Sequence, residues 1–201
     1  FGGSPDYSGV STSRTLMLRE LTELLAVVPA DAIPADYRRA IVDDNILLKP
    51  SVGTRAKTYS FLRGRFALDP TVPAFSLLRF LWSHNDASQP MLALLVAMLR
   101  DAFLRATAPF VAAATPGQVV NSPVFAQVIL EALPELLSEK TLKSTSENIT
   151  STYRQSGHLE CGRICTRAQV EPTPASATMA LLFATLEGRT GQALFDSEWV
   201  K

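Results

Sequence analysis

Histidine and cysteine are scarce in this sequence, with two of each among its 201 residues. Two cysteines are too few for a disulfide framework, so we expect both to be reduced thiols in a cytoplasmic protein. His158, Cys161 and Cys165 could converge on a metal ion, but they supply three ligands, whereas a structural zinc ion takes four. We therefore expect no metal and no cofactor.

Motifs for catalysis and for membrane insertion are also missing. The sequence has no glycine-rich phosphate loop, no HExxH and no GxSxG, so we expect no enzymatic activity. Its longest apolar run covers residues 90–99, which is shorter than the ~20 residues that cross a bilayer. We expect no association with a membrane.

A net charge of either sign is absent as well. Lysine and arginine together number 19, as do aspartate and glutamate, so the formal net charge is zero. Because the whole molecule creates no basic field, any affinity for nucleic acid must come from local patches.

Hydrophobic residues, in contrast, make up 47% of the chain and recur mostly at helical spacing. This pattern predicts a mainly α, multi-helix protein with helix-turn-helix or winged-helix units and one short β-hairpin. A helix over residues 89–114, apolar nearly all round in its first turns, should be the buried scaffold. The other predicted helices cover residues 15–28, 34–44, 52–66, 73–84, 123–133, 142–155, 175–187 and 192–199.

Changes in composition suggest three parts. Residues 1–14 are rich in glycine and serine and predict a flexible arm. Thr115, Pro116 and Gly117 break the helical pattern and mark the best candidate boundary. We therefore divide the chain into the arm, a helical N-terminal domain over 15–115 and a winged-helix-like C-terminal domain over 116–201.

The densest basic stretch covers residues 49–65, which contain no acid. Its predicted helix packs one face and carries cations on the flanks of that face, where they could meet phosphates. An equally good interpretation is that these cations pair with the acidic helices predicted over residues 15–44. The five cations are Lys49, Arg55, Lys57, Arg63 and Arg65.

Residues 133–170 have the layout of a helix-turn-helix followed by a hairpin. Pro134 can open a short helix, and Ser138 or Thr141 can cap the next one, over 142–155. Gly157 then ends that helix, and strands are expected at 158–161 and 163–170.

The helix predicted over 142–155 has a narrow apolar stripe of Leu142, Ile149 and Tyr153, while its other faces are polar. Such a helix is often only a solvated surface helix. As a recognition helix, it would read base edges through Asn148 and Gln155. The candidate nucleic-acid contacts in the whole chain are Thr54, Arg55, Lys57, Arg63, Arg65, Lys143, Ser144, Asn148, Ser151, Arg154, Gln155, Arg163 and Arg167.

Several segments together resemble the BrxA proteins of bacterial BREX phage-exclusion systems. Each segment is short, and the specificity lies in their order and spacing over nearly the whole chain after the arm. They are TLMLRE at 15–20, NILLK at 45–49, TRAK at 54–57, LRGRF at 62–66, residues 144–153, SGHL at 156–159, the hairpin, and residues 180–199.

The resemblance implies a non-enzymatic, mostly helical DNA-binding protein that works beside the methyltransferase, ATPase and phosphatase components of a phage-defence system. The family's basic helix maps to Thr54, Arg55, Lys57, Arg63 and Arg65. Its winged unit maps to residues 143–154 with Arg163 and Arg167. Members have been labelled inner-membrane proteins, but the hydropathy of this chain is that of a core.

Duplex DNA, bound with modest sequence preference, is therefore the leading expectation, with other phage-defence proteins as partners. An assembly adaptor that holds those proteins is the competing hypothesis. The helical fold of the family has also been compared with NusB-like RNA-binding proteins, so RNA is a further candidate ligand.

Overall fold

A computed structural model describes residues 9–134 and 137–200. These residues form nine α-helices and one antiparallel hairpin, which confirms the predicted mainly α fold with a short hairpin. A π turn at Arg39–Asp43 continues the second helix. The elements are α1 (Leu18–Val27), α2 (Pro34–Arg38), α3 (Val52–Phe66), α4 (Pro73–Trp82), α5 (Gln89–Arg100), α6 (Ala102–Ala113), α7 (Ser122–Ala132), α8 (Glu139–Gln155), α9 (Pro174–Leu186), β1 (Leu159–Cys161) and β2 (Cys165–Arg167).

Polar side chains set where the helices begin. Ser51 accepts a hydrogen bond from the backbone N–H of Thr54 at 3.2 Å and starts α3. Ser138, one of the two predicted caps, accepts from the N–H of Thr141 at 3.3 Å, so α8 begins three residues before the predicted start at 142. Pro134, where a short helix was expected to begin, lies in a turn. The next two positions, 135 and 136, lie outside the described residues.

The single helix predicted over 89–114 is wrong, because Asp101 divides it into α5 and α6. The Asp101 backbone is extended, and its Oδ1 accepts from the N–H groups of Phe103 at 3.1 Å and Leu104 at 3.3 Å. A carboxylate that caps two free N–H groups starts a new helix. The axis therefore changes direction at this residue.

The predicted scaffold role of the apolar helix is confirmed for α5. Every side chain from Leu92 to Met98 is buried, and the helix packs against α3, α4, α6, α8 and α9. The predicted boundary at 115–117 lies in the loop between α6 and α7, but buried residues on both sides of it belong to one hydrophobic core.

The N-terminal segment, residues 9–14, is packed rather than flexible, which corrects that part of the predicted arm; residues 1–8 lie outside the described residues. Ser11 is 0% exposed, and its N–H donates to Oδ2 of Asp101 at 2.8 Å. A Cβ atom on Gly9 would lie 2.2 Å from Oδ1 of Asp101, so a side chain has no room there. The segment is thus held by α6.

The hairpin lies directly after α8. Gly157 has a φ of 82° and ends the helix, as predicted. Strands β1 and β2 pair in the register Leu159 to Arg167 and Cys161 to Cys165. The strand at 158–161 is thus confirmed, whereas the second strand is shorter than the predicted 163–170.

A third segment extends the hairpin. Val119 bridges Thr166, and the N–H of Val120 donates to the carbonyl of Cys165 at 3.0 Å. The chain therefore runs α6, bridge, α7, α8 and hairpin, with the bridge pairing to β2.

Cys161 and Cys165 form a disulfide across the hairpin, so the prediction of two reduced thiols is wrong. They occupy facing positions of the register, which brings their side chains together on one side of the ladder. The sequence spacing alone did not reveal this because it depends on the position of the turn.

The C-terminus departs from the predicted helix at 192–199. A 3-10 turn at Gly191–Leu194 replaces it. Trp199 nevertheless docks on the core, with its ring centroid 5.1 Å from that of Phe183. In the part of the chain that the structure describes, no helix combines the length and the apolar character needed to cross a membrane.

We expect Asp101→Asn to lower the free energy of unfolding by roughly 3 kcal/mol, because Arg65, buried against Asp101, would keep an unpaired charge. Asparagine still offers an oxygen to cap α6, but its amide nitrogen cannot accept from the N–H of Ser11, so the loss of that hydrogen bond adds to the effect of the charge. Urea unfolding measures the loss. Asp43→Asn, which breaks the exposed pair with Arg38, serves as the control and should cost less than about 0.5 kcal/mol. Equal losses in the two variants would contradict the role of the buried pair.

Candidate nucleic-acid interface

One face of α8 is part of the core. Ile149 and Tyr153, from the predicted stripe, are 0% and 1% exposed. The Tyr153 ring stacks on Phe125 of α7 at a centroid distance of 5.4 Å. Helix α8 is therefore anchored along its length and is more than a solvated surface helix.

The two predicted base readers on α8 bind the N-terminal segment instead. Asn148 Nδ2 donates to the carbonyl of Ser11 at 2.9 Å. Gln155 Nε2 donates to Oγ1 of Thr15 at 3.0 Å, while its Oε1 accepts from the N–H of Leu18 at 3.3 Å. The assignment of Asn148 and Gln155 to base contacts is corrected, because their hydrogen-bonding groups are used within the chain.

The two serines predicted to contact nucleic acid also form hydrogen bonds within α8. Ser144 Oγ donates to the carbonyl of Thr141 at 3.0 Å. Ser151 Oγ accepts from Nε2 of Gln155 at 3.4 Å. Both residues are half-buried on the side of α8 that faces the N-terminal segment. The hydroxyl hydrogen of Ser144 and the acceptor oxygen of Ser151 are therefore used within α8.

Arg65 is a core residue, so its assignment to nucleic-acid binding is wrong. Its side chain is fully buried, with Nη1 3.6 Å from Oδ2 of Asp101. Its Nη2 donates to Oγ of Ser11 at 3.4 Å and to the carbonyl of Arg14 at 3.2 Å. Burial lowers the pKa of Arg65 to about 10, and the carboxylate of Asp101 opposes that shift.

Arg167 is likewise structural, which corrects its predicted role in the wing. Its Nε donates to the carbonyl of Val111 in the last turn of α6 at 3.0 Å, and its Nη1 donates to the carbonyl of His158 at 3.4 Å. Nη1 also bonds the carbonyl of Ala168. Arg167 therefore fastens the hairpin to α6.

Thr54 and Arg55 lie half-buried at the start of α3. The Thr54 hydroxyl bonds Oγ of Ser51 at 2.9 Å as part of the helix cap. Arg55 Nη1 donates to the carbonyl of Val42 at 3.3 Å. Thr54 and Arg55 therefore contribute mainly to the fold.

Five predicted cations remain exposed, and we name them the unpaired surface cations. None of them forms an ion pair with any residue in the ranges 9–134 and 137–200. Two lie on α3, two on α8 and one in the hairpin turn. They are Lys57, Arg63, Lys143, Arg154 and Arg163.

The alternative in which acidic helices neutralise the basic stretch holds for Lys49 alone. Its Nζ lies 3.0 Å from Oε1 of Glu20 on α1. The other acids of that region pair mostly with its own arginines, as Glu23 does with Arg19 and Asp43 does with Arg38. Neutralisation at the start of the chain therefore leaves α3 with its exposed charges.

The N-terminal segment brings α3 and α8 together. Ser11 is contacted by Arg65 from α3 and by Asn148 from α8. The basic helix and the C-terminal helix, which the sequence placed in separate domains, thus flank one strip of chain. This arrangement was not predictable from local sequence, because a segment rich in glycine and serine is typical of a flexible arm.

His158 lies half-buried immediately before β1. Its Nδ1 lies 2.9 Å from Oγ of Ser156, and its ring meets the Tyr153 ring edge-on at 5.9 Å. Burial and, to a smaller extent, the nearby Arg167 guanidinium lower the pKa of His158 to about 4. The imidazole is therefore neutral at pH 7.

A metal centre would need several ligands in one place. Within the described residues, no group of three histidine, cysteine or acidic side chains could hold a metal ion. The sulfur atoms of Cys161 and Cys165 are bonded to each other.

The sequence matches no protein-family model and no curated protein. Geometry and charge are thus the basis for interpreting this surface.

Asn148→Ala and Gln155→Ala should each lower the free energy of unfolding by about 1 kcal/mol, because each leaves a backbone group of the N-terminal segment or α1 without its partner. Chemical denaturation measures the change. Lys143→Ala, an exposed site on the same helix, is the control and should change stability by less than about 0.5 kcal/mol. Unchanged stability in all three variants would mean that α8 does not hold the N-terminal segment.

Acid should destabilise the protein through His158. Its pKa is about 4 when folded and near 6.5 when unfolded, so the unfolded chain takes up a proton first. Stability is full above pH 6.5 and falls as the pH drops from 6.5 to 4, by roughly 2 kcal/mol at pH 4.5. Urea unfolding at pH 7.5 and 4.5 tests this. The His158→Gln variant should lack the part of this decline that protonation of His158 causes. A decline equal to that of the wild type would contradict the prediction.

Proposed function

We propose that the protein binds duplex DNA without catalysing a reaction, as a component of a bacterial phage-defence system of the BREX type. It would act in the cytoplasm beside the other proteins of that system.

The unpaired surface cations carry this proposal. Each is exposed and lacks an acidic partner within the described residues, so each is available to a phosphate. Arginine and lysine at this kind of surface supply the sequence-independent part of DNA affinity. The net charge of the whole chain is zero, so the attraction must come from these local charges.

The order of elements supports the same proposal. Helix α6, the bridge at Val119, α7, α8 and the hairpin follow one another as in a winged helix-turn-helix. In such units the second helix of the motif enters the major groove, and here that helix is α8. The exposed Lys143 and Arg154 lie on α8, while Arg163 lies in the hairpin turn.

Sequence preference should be weak. Asn148 and Gln155 hold the N-terminal segment and cannot also read bases without releasing it. The remaining contacts are from long cations, which favour phosphates. The proposed mode is therefore a grip on the DNA backbone.

Arg63→Ala with Arg154→Ala should weaken binding to a labelled duplex about tenfold and reduce the slope of log affinity against log salt by about 2. The reason is that the pair removes one cation from α3 and one from α8. Fluorescence anisotropy across a salt series measures both quantities, with a single-stranded RNA of equal length beside the duplex.

The matched control is Arg38→Ala with Arg39→Ala, which removes two exposed arginines that are already paired with acids. That variant should keep the affinity and the slope of the wild type. Equal effects of the two double variants would contradict the role of the unpaired surface cations as DNA contacts. Tighter binding to the RNA strand would contradict duplex DNA as the ligand.

An assembly adaptor is the second candidate, and exposed apolar side chains favour it. Phe80 on α4 and Val27 on α1 are 66% and 61% exposed. Their helices touch, because Arg79 donates to the carbonyls of Leu25 and Val28. If the protein binds neither nucleic acid, this region is the place to look for a protein partner.

A further inference from the structure

A cavity of about 360 Å³ lies between α5, α6, α9, the end of α8 and the hairpin. Pockets of this size hold small organic molecules. The cavity lies between α5 and the elements that follow it, and its lining includes none of the unpaired surface cations. An inference about it is therefore independent of the proposed DNA binding.

The walls of the cavity are mainly apolar and favour an aromatic ligand. Met91 and Met98 of α5 line one side, and Phe195 and Trp199 line the wall near the C-terminus. Methionine sulfur and aromatic rings both make favourable contacts with the edges and faces of a flat ring. A molecule of one or two fused rings fits the volume.

The charged groups on the wall argue against a charged ligand. Arg167 and Glu198 both line the cavity, so their formal charges cancel. The Arg167 guanidinium is already bonded to the carbonyls of Val111, His158 and Ala168. A ligand carboxylate would therefore meet a nearby carboxylate and a cation that is largely engaged.

His158 supplies one hydrogen-bond acceptor to the cavity. Ser156 Oγ donates its only hydrogen to the carbonyl of Tyr153 at 3.1 Å. With the Ser156 hydrogen assigned to that carbonyl, the 2.9 Å contact between Ser156 Oγ and His158 Nδ1 has Nδ1 as donor.

A neutral imidazole with a hydrogen on Nδ1 has a lone pair on Nε2. Burial keeps the pKa of His158 near 4, so the ring is neutral at pH 7. The side-chain hydrogen bond of the His158 ring uses Nδ1, and the ring lines the cavity. The acceptor is thus available to a ligand.

We propose that this cavity binds an uncharged aromatic molecule whose hydroxyl or N–H group donates a hydrogen bond to Nε2 of His158. The apolar walls supply most of the affinity, and the imidazole selects for a donor. The proposal assigns a small-molecule site to the space between α5 and the C-terminal elements.

Three probes of similar shape test it on the unmodified protein by isothermal titration calorimetry at pH 7.5. Indole has a ring N–H, benzofuran has an oxygen in that position, and indole-5-carboxylate adds a negative charge. We expect indole to bind about tenfold more tightly than benzofuran, since benzofuran leaves Nε2 without a donor. Indole should also bind more tightly than the carboxylate. No binding of indole, or no preference among the probes, would overturn the proposal.

Two variants locate the site. Ala112→Leu places three more carbon atoms in the cavity wall and should weaken indole binding at least about tenfold. Ala113→Leu, next on α6 but exposed and outside the lining, should leave it unchanged. His158→Phe should bring indole and benzofuran to equal affinity. Indole binding that is unaffected by Ala112→Leu would place the ligand elsewhere and reject this cavity.

Discussion

The contact between Arg65 and Asp101 fixes the arrangement of three parts of the chain. Both side chains are out of water, with a separation of 3.6 Å between Nη1 and Oδ2. Each charge is costly to bury alone, so neither residue can move without the other. Asp101 also begins α6 and holds Ser11, while Arg65 reaches Ser11 from α3. The direction of α6, the position of α3 and the path of the N-terminal segment therefore depend on one ion pair.

That dependence explains which parts of the fold were predictable. The apolar period gave the mainly α class and the buried scaffold, because helical spacing is a local property of residues such as Leu92 and Met98. Gly157 and Ser138 marked helix ends through their own chemistry. The packing of residues 9–14 was missed because its partners, Asp101 and Asn148, are distant in sequence. The break at Asp101 was missed because the apolar pattern continues past it, although the cap that Asp101 places on Phe103 and Leu104 is local.

The candidate nucleic-acid contacts were also predictable only in part. Counting cations located α3 and α8 correctly as basic helices, but charge alone does not distinguish a surface arginine from a buried one. Arg65 and Arg167 have their guanidinium groups bonded inside the fold, whereas Arg63 and Arg154 are exposed. Asn148 and Gln155 are polar residues on a helix flank, and nothing local indicates that residues 11–18 cover them. The number of cations in a basic stretch is therefore an upper limit on the number that can contact a ligand.

The absence of a side chain at Gly9 has a consequence for how this sequence can vary among related proteins. The position is filled by Oδ1 of Asp101, which is fixed in place by the N–H groups of Phe103 and Leu104. Any larger residue at position 9 requires a smaller or displaced one at position 101, which in turn leaves Arg65 without its counter-charge. Positions 9, 65 and 101 should therefore change together or not at all, so that a relative lacking the glycine would also lack the ion pair.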